Sequence, residues 1–245
     1  MECQRRMRFN NPVMKWKGIA SLVLILVCSA SSAGEWVVVP RHATRTGVGG
    51  GFEMESREAT VAEFVEYLNR APVADFPETA QIAKSFRGGY AARSGVERQA
   101  VAEVTAAEAA AYCRWRSGVE ECRIRLPTEA EWETAARGGV DGAPYPWGWG
   151  GNPGKLAQFA ASEPAKQGGM FLANGFGLYD LAGNLYEWCA EEPADERAGQ
   201  RAARGGSWAE HSPAFLEVAH RQFFPANYRG RDVGFRMLRE SRTEP

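Results

Sequence analysis

The alternation of apolar and polar positions announces three short amphipathic helices. Each opens with a threonine followed three residues later by a glutamate: Thr60-Val-Ala-Glu63, Thr105-Ala-Ala-Glu108 and Thr128-Glu-Ala-Glu131. At that spacing the hydroxyl accepts from the glutamate N–H and the carboxylate reaches back to the threonine N–H, so two donors orphaned by helix geometry satisfy each other's partners. The first helix continues with Val61, Phe64, Val65 and Leu68, the spacing of one buried face. The second carries Ala109, Ala110, Tyr112, Cys113 and Trp115, and the third carries Trp132, Ala135 and Ala136 before stopping at Gly138-Gly139. Short strands are expected at Trp36 to Val39, Arg123 to Leu126 and Phe235 to Leu238. From Gly138 to Gly175 neither period is clear, and so long an irregular stretch needs aromatics, a disulfide or a metal to hold it. Tyr145-Pro-Trp-Gly-Trp149 and the later Asp180 to Glu187 loop are the candidates, and the tryptophans at 132, 147, 149, 188 and 208 are read mainly as core.

The N-terminus changes the picture. A basic stretch (Arg5, Arg6, Arg8, Lys15, Lys17) precedes the apolar run Ile19 to Val27 and the small-residue site Ser31-Ser-Ala33, the layout of a secretory signal peptide over residues 1–33. The run is shorter than the roughly 20 residues of a bilayer-spanning helix, and Cys28 follows a valine bulkier than lipoprotein processing favours. Met14 is an alternative start. Removing five basic residues and one acidic residue takes the formal charge from −1 to −5, which gives nucleic acid no basic stripe to bind. Residues 34–245 are long enough to bury one good core, and no Pro/Ser-rich linker divides them. The expected setting is the periplasm, without a stable membrane anchor.

Export makes the cysteines informative. Cys113, Cys122 and Cys189 remain after processing, an odd count that in an oxidising compartment leaves one bridge and one thiol. Cys113 and Cys122 bracket eight residues, enough to fold a helix end back on itself, so they are the expected pair. Zinc fails for want of partners, since His42, His211 and His220 stand at no metal-ligand spacing.

Three motifs carry the chemistry. Asn174 to Trp188 reads N-G-F-G-L-Y-D-L-A-G-N-L-Y-E-W, and Arg125-Leu-Pro-Thr-Glu-Ala-Glu-Trp-Glu-Thr-Ala-Ala-Arg-Gly-Gly139 lies upstream of it. Arg204-Gly-Gly-Ser-Trp208 and Gly234-Phe-Arg236 follow. In this order, over about Phe52 to Arg236, the chain resembles the formylglycine-generating-enzyme (sulfatase-modifying factor) family. The resemblance implies an α+β, C-type-lectin-like fold with little regular secondary structure, its N-terminal segment shortened here to roughly Glu35 to Gly51. It also implies a calcium ion held by the side chains of Asp180 and Glu187 and the carbonyls of Gly183 and Leu185, a hard-oxygen set suited to Ca²⁺. The alternative for the same residues is an Asp180 that caps its own loop and a Glu187 paired with an arginine. A second family calcium site, in the loop 151–163, lacks its aspartate and is expected to be lost.

Family members that oxidise a substrate cysteine carry two copper-binding thiolates shortly after the Gly-Gly-Ser motif. Those positions here are Glu210 and Phe215, so the copper oxidase reading falls. Glu210, His211, Glu217 and His220 form a weak candidate set for another metal, and Ser207, His211 and Asp232 a nucleophilic triad on paper only, with no Gly-x-Ser-x-Gly elbow. The expected function is a non-enzymatic periplasmic binding or regulatory protein, similar in kind to the TagR-like regulators upstream of the type VI secretion threonine kinase. Its partner would be a periplasmic protein domain, of a membrane Ser/Thr kinase for instance, bound through Trp208, Glu210, His211, Arg229 and Arg231. The alternative is an exported enzyme of the same fold with non-copper chemistry, similar to the PvdO-like proteins of siderophore maturation. Whether a replacement chemistry exists is open at this point.

Overall fold

The computed structural model describes residues 35–40, 51–73, 75–162, 166–190 and 197–240, so the expected signal peptide lies outside the described residues. All three threonine–glutamate pairs form capping boxes with both reciprocal hydrogen bonds. They open helices α1 (Val61–Arg70), α2 (Ala106–Glu120) and α3 (Glu129–Ala136). Val61, Phe64 and Leu68 of α1 are buried as the spacing requires, and Phe64 meets Phe76, Tyr112 and Phe235 with ring centroids 5.4–6.2 Å apart. This aromatic cluster joins α1, α2 and the C-terminal segment, and such pairs each add about 0.5–1.5 kcal/mol beyond their burial.

Among the described residues, two four-stranded sheets form the larger part of the β structure of this α+β fold. The first has the order β1-β2-β10-β5, from Trp36–Val39, Phe52–Glu55, Leu238–Glu240 and Ile124–Arg125. The second has the order β8-β7-β6-β9, from Gln222–Pro225, Gln200–Arg204, Tyr186–Trp188 and Val233–Gly234. A hairpin of β3 (Ile82–Lys84) and β4 (Tyr90–Ala92) packs on α1. The expected strand at Phe235–Leu238 is displaced. Phe235, Arg236 and Met237 are all fully buried, so the period-two alternation of a half-exposed strand breaks there. The chain uses these three residues to pass from β9 of one sheet to β10 of the other.

The irregular stretch is held by side chains. Asn174 Nδ2 donates to the α3 carbonyls of Ala135 and Ala136 at 2.7 and 3.2 Å, closing a helix end whose last carbonyls have no partner within the helix. Tyr145 stacks on Trp147 at 4.8 Å, and Trp147 Nε1 donates to the Gly150 carbonyl at 2.8 Å. Among the described residues of the run, only a four-residue helix, α4 (Pro153–Leu156), interrupts it. Trp132 and Trp188 are core as expected, whereas Trp149 is 70% exposed.

The expected Cys113–Cys122 bridge is not formed, and Cys113 and Cys189 are buried thiols. The reason is the length of α2. It continues to Glu120, so Cys113 lies roughly 10 Å of helix rise before the turn, beyond the about 7 Å Cα separation a disulfide tolerates. The reversal comes only at Glu121, in the left-handed region at φ 53°. Ser117 then secures the returning chain, its hydroxyl accepting from Ile124 N–H at 2.9 Å. Reduction with dithiothreitol is therefore expected to leave the melting temperature unchanged, and non-reducing peptide mapping to recover all three of these cysteines unlinked. A linked Cys113–Cys122 peptide would contradict the geometry.

Candidate functional site

The Asp180 to Glu187 loop is built on three demands for left-handed backbone. Asp180, Gly183 and Asn184 have φ of 56°, 80° and 59°. A Cβ on Gly183 would stand 2.4 Å from the Gln158 carbonyl oxygen, so only glycine fits. Asn184 is a hub: its Oδ1 accepts from Lys166 N–H at 2.9 Å and its Nδ2 donates to Glu58 Oε1 at 2.8 Å. The loop therefore hangs on the segment just before α1, a link between residues far apart in sequence.

Glu187 is fully buried and both of its oxygens are engaged. Arg236 Nη2 donates to Oε1 at 2.7 Å, Arg236 Nε lies 3.0 Å from Oε2, and Trp132 Nε1 donates to Oε2 at 2.7 Å. Arg236 is completed by the carbonyls of Glu55 and Tyr179 at 3.1 and 2.7 Å. The residues as placed do not fit a calcium ion held through Glu187, because a guanidinium already occupies its carboxylate. The arginine pairing weighed for Glu187 is the arrangement present. Asp180 Oδ2 accepts a short hydrogen bond from Gly169 N–H, reaching across to another loop rather than capping its own. Among the described residues no group of three or more His, Cys, Asp or Glu side chains is arranged to hold a metal.

Glu58, which the sequence reading did not single out, is the strained member. It is buried, and its Oε2 has no hydrogen-bond partner. Burial first, and the neighbouring Asp180 carboxylate second, push its pKa well above the ordinary carboxylate value. The Glu-Ala-Thr that opens α1 was the available signal, since a carboxylate two residues before a capping threonine has no local role.

The positions where the resemblance leads one to expect copper thiolates hold side chains with other tasks. Glu210 Oε1 accepts from the Tyr186 hydroxyl at 2.8 Å, a bond that together with burial raises the tyrosine pKa. Phe215 lies in a 3₁₀ turn (Pro213–Leu216) and packs edge-on against His220 at 5.0 Å. Burial depresses the His220 pKa. The paper triad does not assemble: Ser207 is fully buried, His211 is exposed, and Asp232 accepts from Tyr228 at 2.9 Å. Gly206 is required in the turn before Ser207, where a Cβ would meet the Phe215 carbonyl oxygen at 2.7 Å.

The expected partner surface is only partly brought together. Trp208 Nε1 donates to the Arg231 carbonyl at 3.1 Å, and Arg231 lines a small cleft of about 140 Å³ with Gln81, Gln99 and Glu103. Arg231 and His211 are exposed. Arg229 instead points inward: it bonds the Glu103 carbonyl at 2.7 Å and Glu108 at 2.6 Å and lies 5.0 Å over the Phe76 ring. It is a structural residue that fastens the loop after β8 to the capping box of α2.

A model of the sulfatase-modifying factor enzyme 1-like domain matches residues 23–241. The inactive C-alpha-formylglycine-generating enzyme 2 of Mus musculus is 39% identical over 120 residues, covering 44% of this chain and 37% of that protein. The serine/threonine-protein kinase pkn1 of Chlamydia pneumoniae is 35% identical over 143 residues, covering 52% of this chain and 22% of the kinase. The match thus spans well under half the length of either curated relative. The solved structure of PvdO from Pseudomonas aeruginosa superposes with a TM-score of 0.63 at 27% identity, covering 78% of this chain and 81% of that one.

Two stability effects follow. Because the Glu187 carboxylate is already paired with Arg236 and Trp132, chelation is expected to leave the melting temperature of wild type unmoved, and a drop reversed by added calcium would contradict this. The raised Glu58 pKa means that folded protein holds this proton more tightly than unfolded chain does. Its contribution to stability is then full below the unfolded value of about 4.3 and lost as pH rises towards the folded one, at up to about 1.4 kcal/mol per pH unit. In chelator, Glu58→Gln should therefore gain stability over wild type progressively from pH 4 to 7, and a pH-independent difference would refute the assignment.

Proposed function

Because this chain belongs to the sulfatase-modifying factor enzyme 1-like domain family, we propose that it is a non-catalytic member that binds a protein partner outside the cytoplasm. The observation that carries this reading is the pair Glu210 and Phe215. Where the resemblance places two copper thiolates stand a carboxylate fixed by Tyr186 and a ring packed on His220. Neither side chain can cycle between thiolate and disulfide or bind soft copper. A relative named as an inactive formylglycine-generating enzyme supports the same reading.

The binding face centres on Trp208, His211 and Arg231, an aromatic and charged rim carried on loops while the two sheets stay rigid beneath. Its partner, in this reading, is the periplasmic domain of a membrane Ser/Thr kinase of the type VI secretion pathway. A kinase that shares 35% identity with this chain over 143 residues supports association of this domain type with kinase signalling. Among the described residues no helix is long and apolar enough to cross a membrane.

Likeness to PvdO favours a second reading, an exported enzyme with non-copper chemistry near Glu210 and His220. Metal analysis separates the two: a stoichiometric redox metal bound in wild type and lost in a Glu210→Gln/His220→Gln variant supports the enzyme.

The proposal predicts no oxygen uptake with cysteine-containing peptides, with or without copper. A photocrosslinker at residue 211 should capture the kinase domain, and Trp208→Ala with Arg231→Glu should weaken that capture at least tenfold without moving the melting temperature. Arg229→Glu should lower the melting temperature because it breaks the bond to Glu108. Copper-dependent turnover, or undiminished capture by the Trp208/Arg231 variant, would sink the corresponding half of the proposal.

A further inference from the structure

The small cleft beside Arg231 carries chemistry that partner binding does not use. It lies between the segment before β3, the residues after β4, the chain entering α2 and the loop before β9, and its volume is about 140 Å³. That is roughly five times the share of one water in the liquid, too little for a drug-sized ligand and enough for a molecule of a few heavy atoms. Val96, Ala80 and Ala102 give it apolar walls. Gln81 stiffens them, its Nε2 donating to the Ala100 carbonyl at 2.9 Å and its Oε1 accepting from Ala102 N–H at 2.8 Å. Both ends of this amide are thereby committed to the backbone that builds the wall.

Two charged side chains of opposite sign line the cleft, Arg231 and Glu103. They are not paired with each other: Glu103 Oε2 accepts from Ala80 N–H at 2.8 Å, Arg231 is exposed, and the ion pair of this corner runs from Arg229 to Glu108. Glu103 is also held in a conformation that disfavours glutamate. Its φ is 57°, in the left-handed region where glycine or asparagine is the unstrained choice. Strain of this kind persists where the surroundings over-determine it, and it concentrates at ligand sites. Here the Glu103 N–H donates to the Gly230 carbonyl at 2.9 Å and its own carbonyl accepts from Arg229 Nη1 at 2.7 Å. Two of the three hydrogen bonds that place Glu103 thus come from the residues immediately before Arg231, so the backbone itself sets how the two charges stand across the cleft.

We propose that this cleft binds a small α-amino acid as its zwitterion, with the carboxylate on Arg231, the ammonium on Glu103 and a short side chain against Val96 and Ala80. A simple carboxylate would meet Glu103 and a simple ammonium would meet Arg231, while a neutral molecule would leave both charges without a partner. A ligand that carries both signs one carbon apart gives each a charge-assisted hydrogen bond. The small volume restricts its side chain to the size of alanine or serine. The inference goes beyond partner binding: the site shares Arg231 with the proposed face, yet binding of the amino acid needs no partner.

The test is titration of the full chain, with no partner present, with carbon-13-labelled L-alanine, propionate and ethylammonium, followed by NMR at fixed salt. The last two are alanine without its ammonium and without its carboxylate. Wild type should bind alanine at least tenfold more tightly than either, and at least tenfold more tightly than L-phenylalanine. In Arg231→Gln alanine should bind no better than ethylammonium, and in Glu103→Gln, which keeps an acceptor for Ala80 N–H, no better than propionate. Ala80→Leu, a change at an exposed position that fills the cleft, should weaken alanine at least tenfold. No binding of alanine by wild type, equal binding of all three probes, or a preference for alanine that survives Arg231→Gln and Ala80→Leu would overturn the proposal. If Glu103→Gln does not fold, Arg231→Gln and Ala80→Leu decide the matter alone.

Discussion

The ion pair between Glu187 and Arg236 is the constraint on which the rest of this fold depends. Neither side chain touches solvent, and their hydrogen bonds reach Trp132 on α3, the Glu55 carbonyl of β2 and the Tyr179 carbonyl before the glycine loop. Two sheets, one helix and one loop are thus tied to a single carboxylate–guanidinium contact. Burying two charges is costly, and the gain returns only when geometry and the remaining hydrogen bonds are complete. Here they are complete, so the pair specifies how the two sheets meet more than it adds net stability. Removing either partner alone would leave the other charged and buried.

From this anchor the site can be followed outward. Glu187 pairs in register with Arg204 across β6 and β7, and Arg204 is itself buried against Glu133 and the Val218 carbonyl. The Gly205-Gly206 turn follows at once and carries the chain to Trp208. The rigid part of the fold therefore ends one or two residues before the exposed rim. That rim, with Glu210 and Phe215 close by, can change chemistry without disturbing the anchor.

Much of the architecture was legible because its causes are local. The three capping boxes, the stripe on α1 and the strand at Trp36–Val39 depend on residues within a turn or two of one another, and each formed as expected. What could not be read depends on distance. Asn174 closes α3 from across the fold, Glu58 meets Asn184 at a separation of 126 residues, and Arg229 turns inward because Glu108 waits on another element. The disulfide expectation failed for a similar reason: two cysteines close in sequence were separated by the two turns that α2 adds after Cys113. The Arg236 pairing was one of two readings the residues allowed for Glu187, and only the tertiary contact chose between them.

The claim that Glu187 and Arg236 form one structural unit is tested most directly by a double-mutant cycle on urea-induced unfolding, with Glu187→Gln, Arg236→Met and the combination. Each single variant should lose about 3–5 kcal/mol, since each strands a buried charge. The double variant should lose clearly less than the sum, because it strands none. Losses that add to within about 0.5 kcal/mol would mean that the two residues act independently and would contradict the account.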